Sequence, residues 1–206
     1  MADGDFIRFP TLSYQTPWFY MSELEQSPFS LVESDRTQVA IRYASFDDVA
    51  AIYLITQAAY AEYRTLIPYS SVWLETPESV ATEMQLGPTL VSVVGGRIVG
   101  SVRCHVEHEA GQGDFMYIHR LAVLPSYRRQ GLGCALVQAV EGLAKSKNLQ
   151  RVRLETRAAQ PENYHFYRKL GYELGEISLY LANGSPRSYW MSKELVRERR
   201  QRELVS

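Results

Sequence analysis

Val123-Leu124-Pro125-Ser126-Tyr127-Arg128-Arg129-Gln130-Gly131-Leu132-Gly133-Cys134-Ala135 joins an apolar strand to an amphipathic helix through a short basic turn. The strand, Tyr117 to Leu124, ends at Pro125, which has no N–H to offer a ladder. Beyond the turn, Leu132, Ala135, Leu136, Ala139, Val140, Leu143 and Ala144 recur at spacings of three and four, one face of a helix that starts near Gly131. The first N–H groups of a helix lack intrahelical partners and, with the helix dipole, form an anion site usually filled by phosphate. Gly131 and Gly133 let a large ligand approach the backbone, and Arg128 and Arg129 add positive charge.

Upstream of the turn the chain alternates in character. Val39, Ile41 and Tyr43 alternate with polar or small residues as a strand does. Ser45 caps a helix with Asp47 and Asp48 in its first turn and Val49, Ile52, Tyr53, Thr56, Ala59, Tyr60 and Tyr63 on its buried face. Residues 64–76 read as a loop around Pro68, and Thr76-Pro77-Glu78-Ser79 opens a second helix to about Leu86. Leu90 to Val94 and Ile98 to Val106 are strands joined at Gly95-Gly96, and residues 107–113 read as a polar loop before the strand Phe115 to Leu124.

Downstream of the long helix, Val152, Leu154 and Thr156 alternate as a strand. A short helix from Pro161 to Gly171 follows, then strands Tyr172 to Leu181 and Arg187 to Leu195 on either side of Asn183-Gly184-Ser185-Pro186. A three-strand meander followed by strand–helix–strand implies a mixed sheet with helices on both faces. The domain spans residues 38–196. Before it lies an aromatic-rich extension, residues 1–37, expected to pack on the domain or on a second subunit, so a homodimer is among the expected partners. After it lies a basic tail, residues 197–206, read as a solvated helix end.

Strand, turn, Arg-x-x-Gly-x-Gly and helix together resemble motif A of the GNAT N-acetyltransferase superfamily, which binds the pyrophosphate of acetyl-coenzyme A. Phe166-Tyr167-Arg168-Lys169-Leu170-Gly171-Tyr172 is similar to the short helix that ends in L-Y-x-x-x-G-F in many members, and Arg187 to Leu195 looks like their last strand. The resemblance implies an α/β fold of the GNAT type: a central mixed sheet of about seven strands, flanked by helices, whose strands part beside the motif helix to admit the coenzyme. It implies acetyl-coenzyme A as co-substrate, no metal, and direct attack by a primary amine in a ternary complex. It also implies that Leu121, Ala122 and Val123 hold the pantetheine arm and polarise the thioester carbonyl through backbone groups. Arg128, Arg129, Gln130, Gly131, Leu132, Gly133 and Cys134 then surround the phosphates. Gln160 stands seven residues before Tyr167, where the family often has asparagine, with Asn163 a helical turn away; both, with Phe166, are expected beside the pantetheine. Tyr167 corresponds to the tyrosine assigned to protonate the departing thiolate, and a phenol is a fair match for an alkyl thiol.

The base is read from strand alternation. Tyr117, His119, Leu121 and Val123 are expected on one face, which places Tyr117 and His119 farther along the cleft. His119 is the group there that titrates near neutral pH in its unperturbed state. A histidine bonded to a neighbouring strand is the other reading, and Glu155 and His105 are secondary candidates. The acceptor is open: peptide N-termini, lysine side chains, polyamines or small amino compounds. Tyr60, Tyr63, Tyr69 and Trp73 are expected to line its mouth, with Glu62 or Glu75 attracting the amine.

Bulk composition narrows the classes further. The 206 residues are 46% apolar and 22% charged, and the net charge is −1, so neither nucleic acid nor an anionic membrane is an expected partner. The two cysteines, Cys104 and Cys134, form no metal-ligand spacing and no disulfide framework, and no segment reads as a membrane span or a secretory signal. A cytoplasmic protein is the expectation. No Gly-x-Gly-x-x-Gly follows the first strand and no P-loop occurs, which argues against dinucleotide oxidoreductases and P-loop NTPases. A coenzyme-binding protein of the same fold without turnover is the alternative to an enzyme.

Overall fold

The computed structural model describes residues 39–68 and 70–195. The expectations for the N-terminal extension, the basic tail and Tyr69 lie outside the described residues. In chain order the elements are β1 (Val39–Tyr43), α1 (Val49–Tyr60), α2 (Pro77–Leu86), β2 (Thr89–Val94), β3 (Arg97–Glu109), β4 (Gly113–Val123), α3 (Leu132–Ser146), β5 (Arg151–Arg157), α4 (Pro161–Lys169), β6 (Glu173–Tyr180) and β7 (Pro186–Glu194). The seven strands form one sheet in the order β1-β2-β3-β4-β5-β7-β6. All neighbours are antiparallel except β4 and β5.

Helix α3 covers one face. Leu136, Val137, Val140 and Ala144 are fully buried against Met116, Ile118, Val152, Leu154 and Met191 of the three central strands. Val137 joins the predicted stripe, as a helical face wider than 100° allows. Helices α1 and α2 cover the other face of the meander, where Ile52, Val80 and Val91 are buried together. The buried stripe of α1 is Ile52, Ile55, Thr56 and Ala59, while Val49, Tyr53, Tyr60 and Tyr63 are only half-buried. Thr76 caps α2 as its sequence predicts, accepting from Ser79 N at 3.2 Å.

Two expectations change. The loop expected over residues 107–113 shrinks to a turn at 110–112: β3 and β4 continue as a hairpin in which His108 faces Asp114 and Glu109 faces Gly113. Alternating charged residues read as loop, but here they pair across strands, His108 Nδ1 with Asp114 Oδ1 at 2.8 Å. The second change lies in β4. Arg103 faces His119 and Ser101 faces Ala122, so Arg120 and Leu121 together oppose Val102 alone. This is a β-bulge, and Arg120 adopts φ +53°, rare for a residue with a side chain. The extra residue swaps the faces of the strand. Ala122 packs with Ile55 and Ala59 of α1, whereas Leu121 and Val123 pack on the α3 side. Tyr117 and His119 therefore do not share a face with Leu121 and Val123.

The bulge is held by a buried ionic cluster. Glu75, in the connection between α1 and α2, accepts two hydrogen bonds from Arg103, at 3.0 and 2.9 Å, and one from Arg120 Nε. Arg103 also meets Glu83, and Arg120 Nη2 donates to Ser71 Oγ at 2.8 Å. The side chains of Arg103 and Glu75 are only 2% and 4% exposed. Removing one partner of a buried pair strands a charge, which costs far more than the pair contributes. Glu75→Ala should therefore lower unfolding free energy by about 3 kcal/mol. Glu83→Ala, at the partly exposed side of the same guanidinium, should cost about 1 kcal/mol or less. Urea unfolding of the two variants checks the order; equal losses would show that Glu75 does not anchor the cluster.

Candidate active site

Strands β4 and β5 pair over only three residues, Met116 to Ile118 against Val152 to Leu154. Beyond them β4 runs on to Val123 and β5 to Arg157 without meeting, and a cavity of about 140 Å³ lies in the gap. Tyr117, Ile118, His119, Arg120 and Leu121 line it from β4, Glu155 and Arg157 from β5. Gln160, Asn163, Phe166 and Tyr167 close it from the α4 side, and Tyr60 from α1. Tyr167, Tyr117, His119 and Glu155 thus share one space with Leu121, Gln160, Asn163 and Phe166, while His105, Ala122 and Val123 do not line it.

Tyr167 is 9% exposed, its ring edge-on to Phe166 and Tyr172 at 4.9 and 5.7 Å. Burial pushes its phenol well above the usual range, with Tyr60 and Tyr117 adding to the effect, so it keeps its proton at working pH. Burial, then the charges of Glu155 and Glu107, raise Tyr117 in the same direction. Tyr117 is a phenol throughout the neutral range, suited to hydrogen bonding and not to acting as a charged base.

His119 departs from its expected titration. Its ring stacks on Tyr117 at 5.7 Å and meets His105 edge-on at 5.2 Å. Arg103 and Arg120 flank it, and Glu83, whose charge is engaged by Arg103, stands 3.8 Å from Nδ1. Burial, followed by His105, Arg103 and Arg120, pushes the imidazole down to about 3. It is neutral at working pH, so the ionisation expected near neutrality does not belong to it.

In the motif turn, Arg129 and Gly131 both have positive φ, +63° and +82°. Gly131 is required by that conformation, since nothing lies within 4 Å of a Cβ placed there. A Cβ at Gly133 would instead touch Phe166 at 3.4 Å, so this glycine lets α3 and α4 approach. Leu132 is buried in the core, Cys134 is a half-buried thiol, and Gln130 and Arg129 are exposed. Gln130 Nε2 reaches Ser126 O at 3.4 Å across the turn. Arg128 corrects its expectation: it points back to α1, donating to Ala59 O at 2.7 Å, to Val123 O at 3.3 Å and to Glu62. The turn therefore offers backbone N–H groups at the start of α3 and one exposed guanidinium, Arg129.

Neither carboxylate expected to attract the amine is available for it. Glu75 lies between Arg103 and Arg120, and Glu62 engages Arg128. Of the expected mouth, Tyr60 lines the cavity, its Oη 3.5 Å from Leu121 O. Trp73 braces the loop instead, donating to Ile67 O at 2.8 Å under Arg64. Among the described residues no three His, Cys, Asp or Glu side chains gather as a metal would require. No described helix is long and apolar enough to cross a membrane.

A mixed sheet parted between two parallel strands, with a buried phenol in the gap and a glycine turn opening α3, has the architecture of solved N-acetyltransferase structures. The Acetyltransferase (GNAT) family model matches residues 52–172, and the chain belongs to that family. It is 35% identical over 114 residues to an N-alpha-acetyltransferase of Sulfurisphaera tokodaii, covering 51% of this chain and 68% of that protein. It is 30% identical over 98 residues to N-alpha-acetyltransferase 30 of Schizosaccharomyces pombe, covering 47% and 65%. The structure of the PaiA N-acetyltransferase of Thermoplasma acidophilum in complex with coenzyme A superposes with a TM-score of 0.62 at 18% identity, over 76% of this chain and 98% of that one.

The titration of His119 has a consequence for stability. Its folded value lies below the unfolded one of about 6.5, so its contribution is present above that pH and is lost as pH falls toward 3. Across that window the unfolded chain binds a proton that the folded imidazole refuses, worth up to about 1.4 kcal/mol per pH unit. His119→Gln should flatten the decline measured by urea unfolding at pH 7, 6, 5 and 4. An unchanged slope would mean that His119 titrates normally in the fold.

Proposed function

We propose that this acetyltransferase acts on the α-amino group of polypeptide N-termini, with the amine attacking directly in a ternary complex. The observation that carries the reading is the shared cavity at the parting of β4 and β5, reached by side chains from both strands and from α4. The N-alpha-acetyltransferases among the similar proteins support an α-amine as acceptor.

Acetyl-coenzyme A, when bound, supplies the activated acetyl thioester. The gap fits such a group: past Ile118 the β4 backbone has no ladder partner on the β5 side, so backbone groups of Leu121 to Val123 that face it would align the donor, with Leu121 O and Val123 O already accepting from Tyr60 and Arg128. Gln160 and Asn163 offer amide groups beside the same space, and the N–H groups at the start of α3 offer a phosphate site. Positioning both reactants removes much of the entropic barrier. Glu155 is the carboxylate facing the cavity that draws in the ammonium. Neutral His119 accepts a hydrogen bond from the attacking nitrogen, directly or through one water, and Tyr117 orients its ring. Tyr167 Oη holds the proton that the departing sulfur takes. Of the two protons lost by the ammonium, one restores Tyr167 and the other leaves to solvent.

Peptides with free α-amines, incubated with acetyl-coenzyme A and read by mass spectrometry, should be acetylated at the N-terminus and not on lysine. Turnover confined to polyamines or aminoglycosides would overturn the acceptor assignment. Tyr167→Phe keeps the ring and deletes the proton, so the single-turnover rate should fall ~10²-fold, well beyond any change in coenzyme affinity by calorimetry. A full single-turnover rate would assign the proton to water.

A further inference from the structure

Beside the central cavity lies a second one of about 90 Å³, between the α1–α2 connection and the β6–β7 turn. Leu66, Ile67, Pro68, Leu181 and Pro186 give it apolar walls. The two cavities share Ile67, Ser70 and Arg157, so Arg157 stands at their junction. It is the last residue of β5 and falls on the same strand face as Arg153 and Glu155, the face turned to Tyr117.

Arg157 differs from the other arginines of the interior. Arg103 and Arg120 meet Glu75, Arg128 meets Glu62, and Arg151 and Arg153 both meet Glu109 at 2.7 Å. Arg157 has no carboxylate within 4 Å among the described residues, and its buried Nη1 has no hydrogen-bond partner. Burial disfavours its charged form, and Arg187 beside it adds repulsion, partly offset by Glu155. A guanidinium donor sealed from water without an acceptor is costly, and a planar carboxylate is the group its fork fits best.

We propose that the acceptor amine carries a carboxylate, which pairs with Arg157 while the adjoining carbon chain lies on the apolar walls of the second cavity. The charges along the β5 face suit such a molecule end to end: Glu155 toward the ammonium, Arg157 toward the acid. The proposal rests on the amine entering by this cleft, but not on the acceptor being a polypeptide. Two sources present this chemistry: an N-terminal peptide with Asp or Glu in its first two residues, and a free amino acid through its own carboxylate.

Matched pairs decide it: peptides with Glu or Gln at positions one and two, and free amino acids against their amides. Wild-type protein should prefer the acid in kcat/KM by about tenfold or more, the effect expected of a hydrogen bond to a charged group. In Arg157→Gln the ratio of acid to amide should fall toward one, and Arg157→Lys should restore part of it. Turnover of free amino acids alone, with the acid preferred over its amide, would keep Arg157 in this role and overturn the polypeptide reading. Peptide turnover indifferent to charge would keep that reading and overturn this one, as would an Arg157→Gln variant that lowers acid and amide equally. Calorimetry with the N-acetylated acidic product gives a readout apart from turnover: binding should be lost in Arg157→Gln, and equal binding in both proteins would sink the assignment.

Discussion

Glu75 is the charge on which the central strand depends. It comes from the connection between two helices, yet its partners are side chains of β3 and β4. Arg120 occupies a backbone region that costs an ordinary residue of order 1–3 kcal/mol, and such conformations persist only where the surroundings over-determine them. The bond to Glu75, together with the bond to Ser71, supplies that determination. Once the bulge is set, the strand reverses its faces, Ala122 seats against α1, and Leu121 and Val123 turn to α3. The ladder to β5 stops at Ile118, just before the bulge, and the β4 backbone beyond it faces a gap. The cavity thus opens beside the stretch of strand that carries one extra residue, held by Glu75 and Ser71.

The electrostatics of the cavity follow from that construction. Burial keeps Tyr117 and Tyr167 as phenols and His119 as a neutral imidazole, so three groups that could have carried charge carry none. The arginines of the cluster favour neutrality at His119 as well, since a second cation there would face Arg103 and Arg120. What remains charged is Arg120 of β4, paired with Glu75, and on β5 Glu155 and Arg157, which project on the same side two residues apart. The uncharged titratable groups of β4 and α4 and the charged residues of β5 therefore face one gap.

Much of this was legible in the residues and some was not. The glycine turn, the α3 stripe and the strand–helix–strand order could be read because periodicity and backbone-restricted residues leave local marks. Gln160, Asn163, Phe166 and Tyr167 were placed by motif register and Tyr117 and His119 by strand alternation, and the structure brings all six to one cavity. The bulge left no mark, because Arg120 is neither glycine nor asparagine and its conformation is enforced by a residue 45 positions away. Strict alternation then put Leu121 and Val123 on the wrong face. Arg128 looked like a phosphate ligand for the same reason: charge and proximity to a turn are local, whereas its bonds to Ala59 and Glu62 are tertiary.

Arg128 shows how the donor and acceptor halves are tied together. Its guanidinium clasps the last turn of α1 and the carbonyl of Val123, so the phosphate turn is fastened to the helix that precedes the acceptor-side loop. Tyr60, at the end of that helix, reaches toward Leu121 O in the cavity itself. The connection that follows α1 carries Ile67 and Ser70 into both cavities and Glu75 into the bulge. Any shift of α1 would move the turn, the cavity wall and the bulge together, because each is bonded to the same helix or its continuation. The motif turn and the cavity wall are in that sense one mechanical unit, joined through α1 and its continuation.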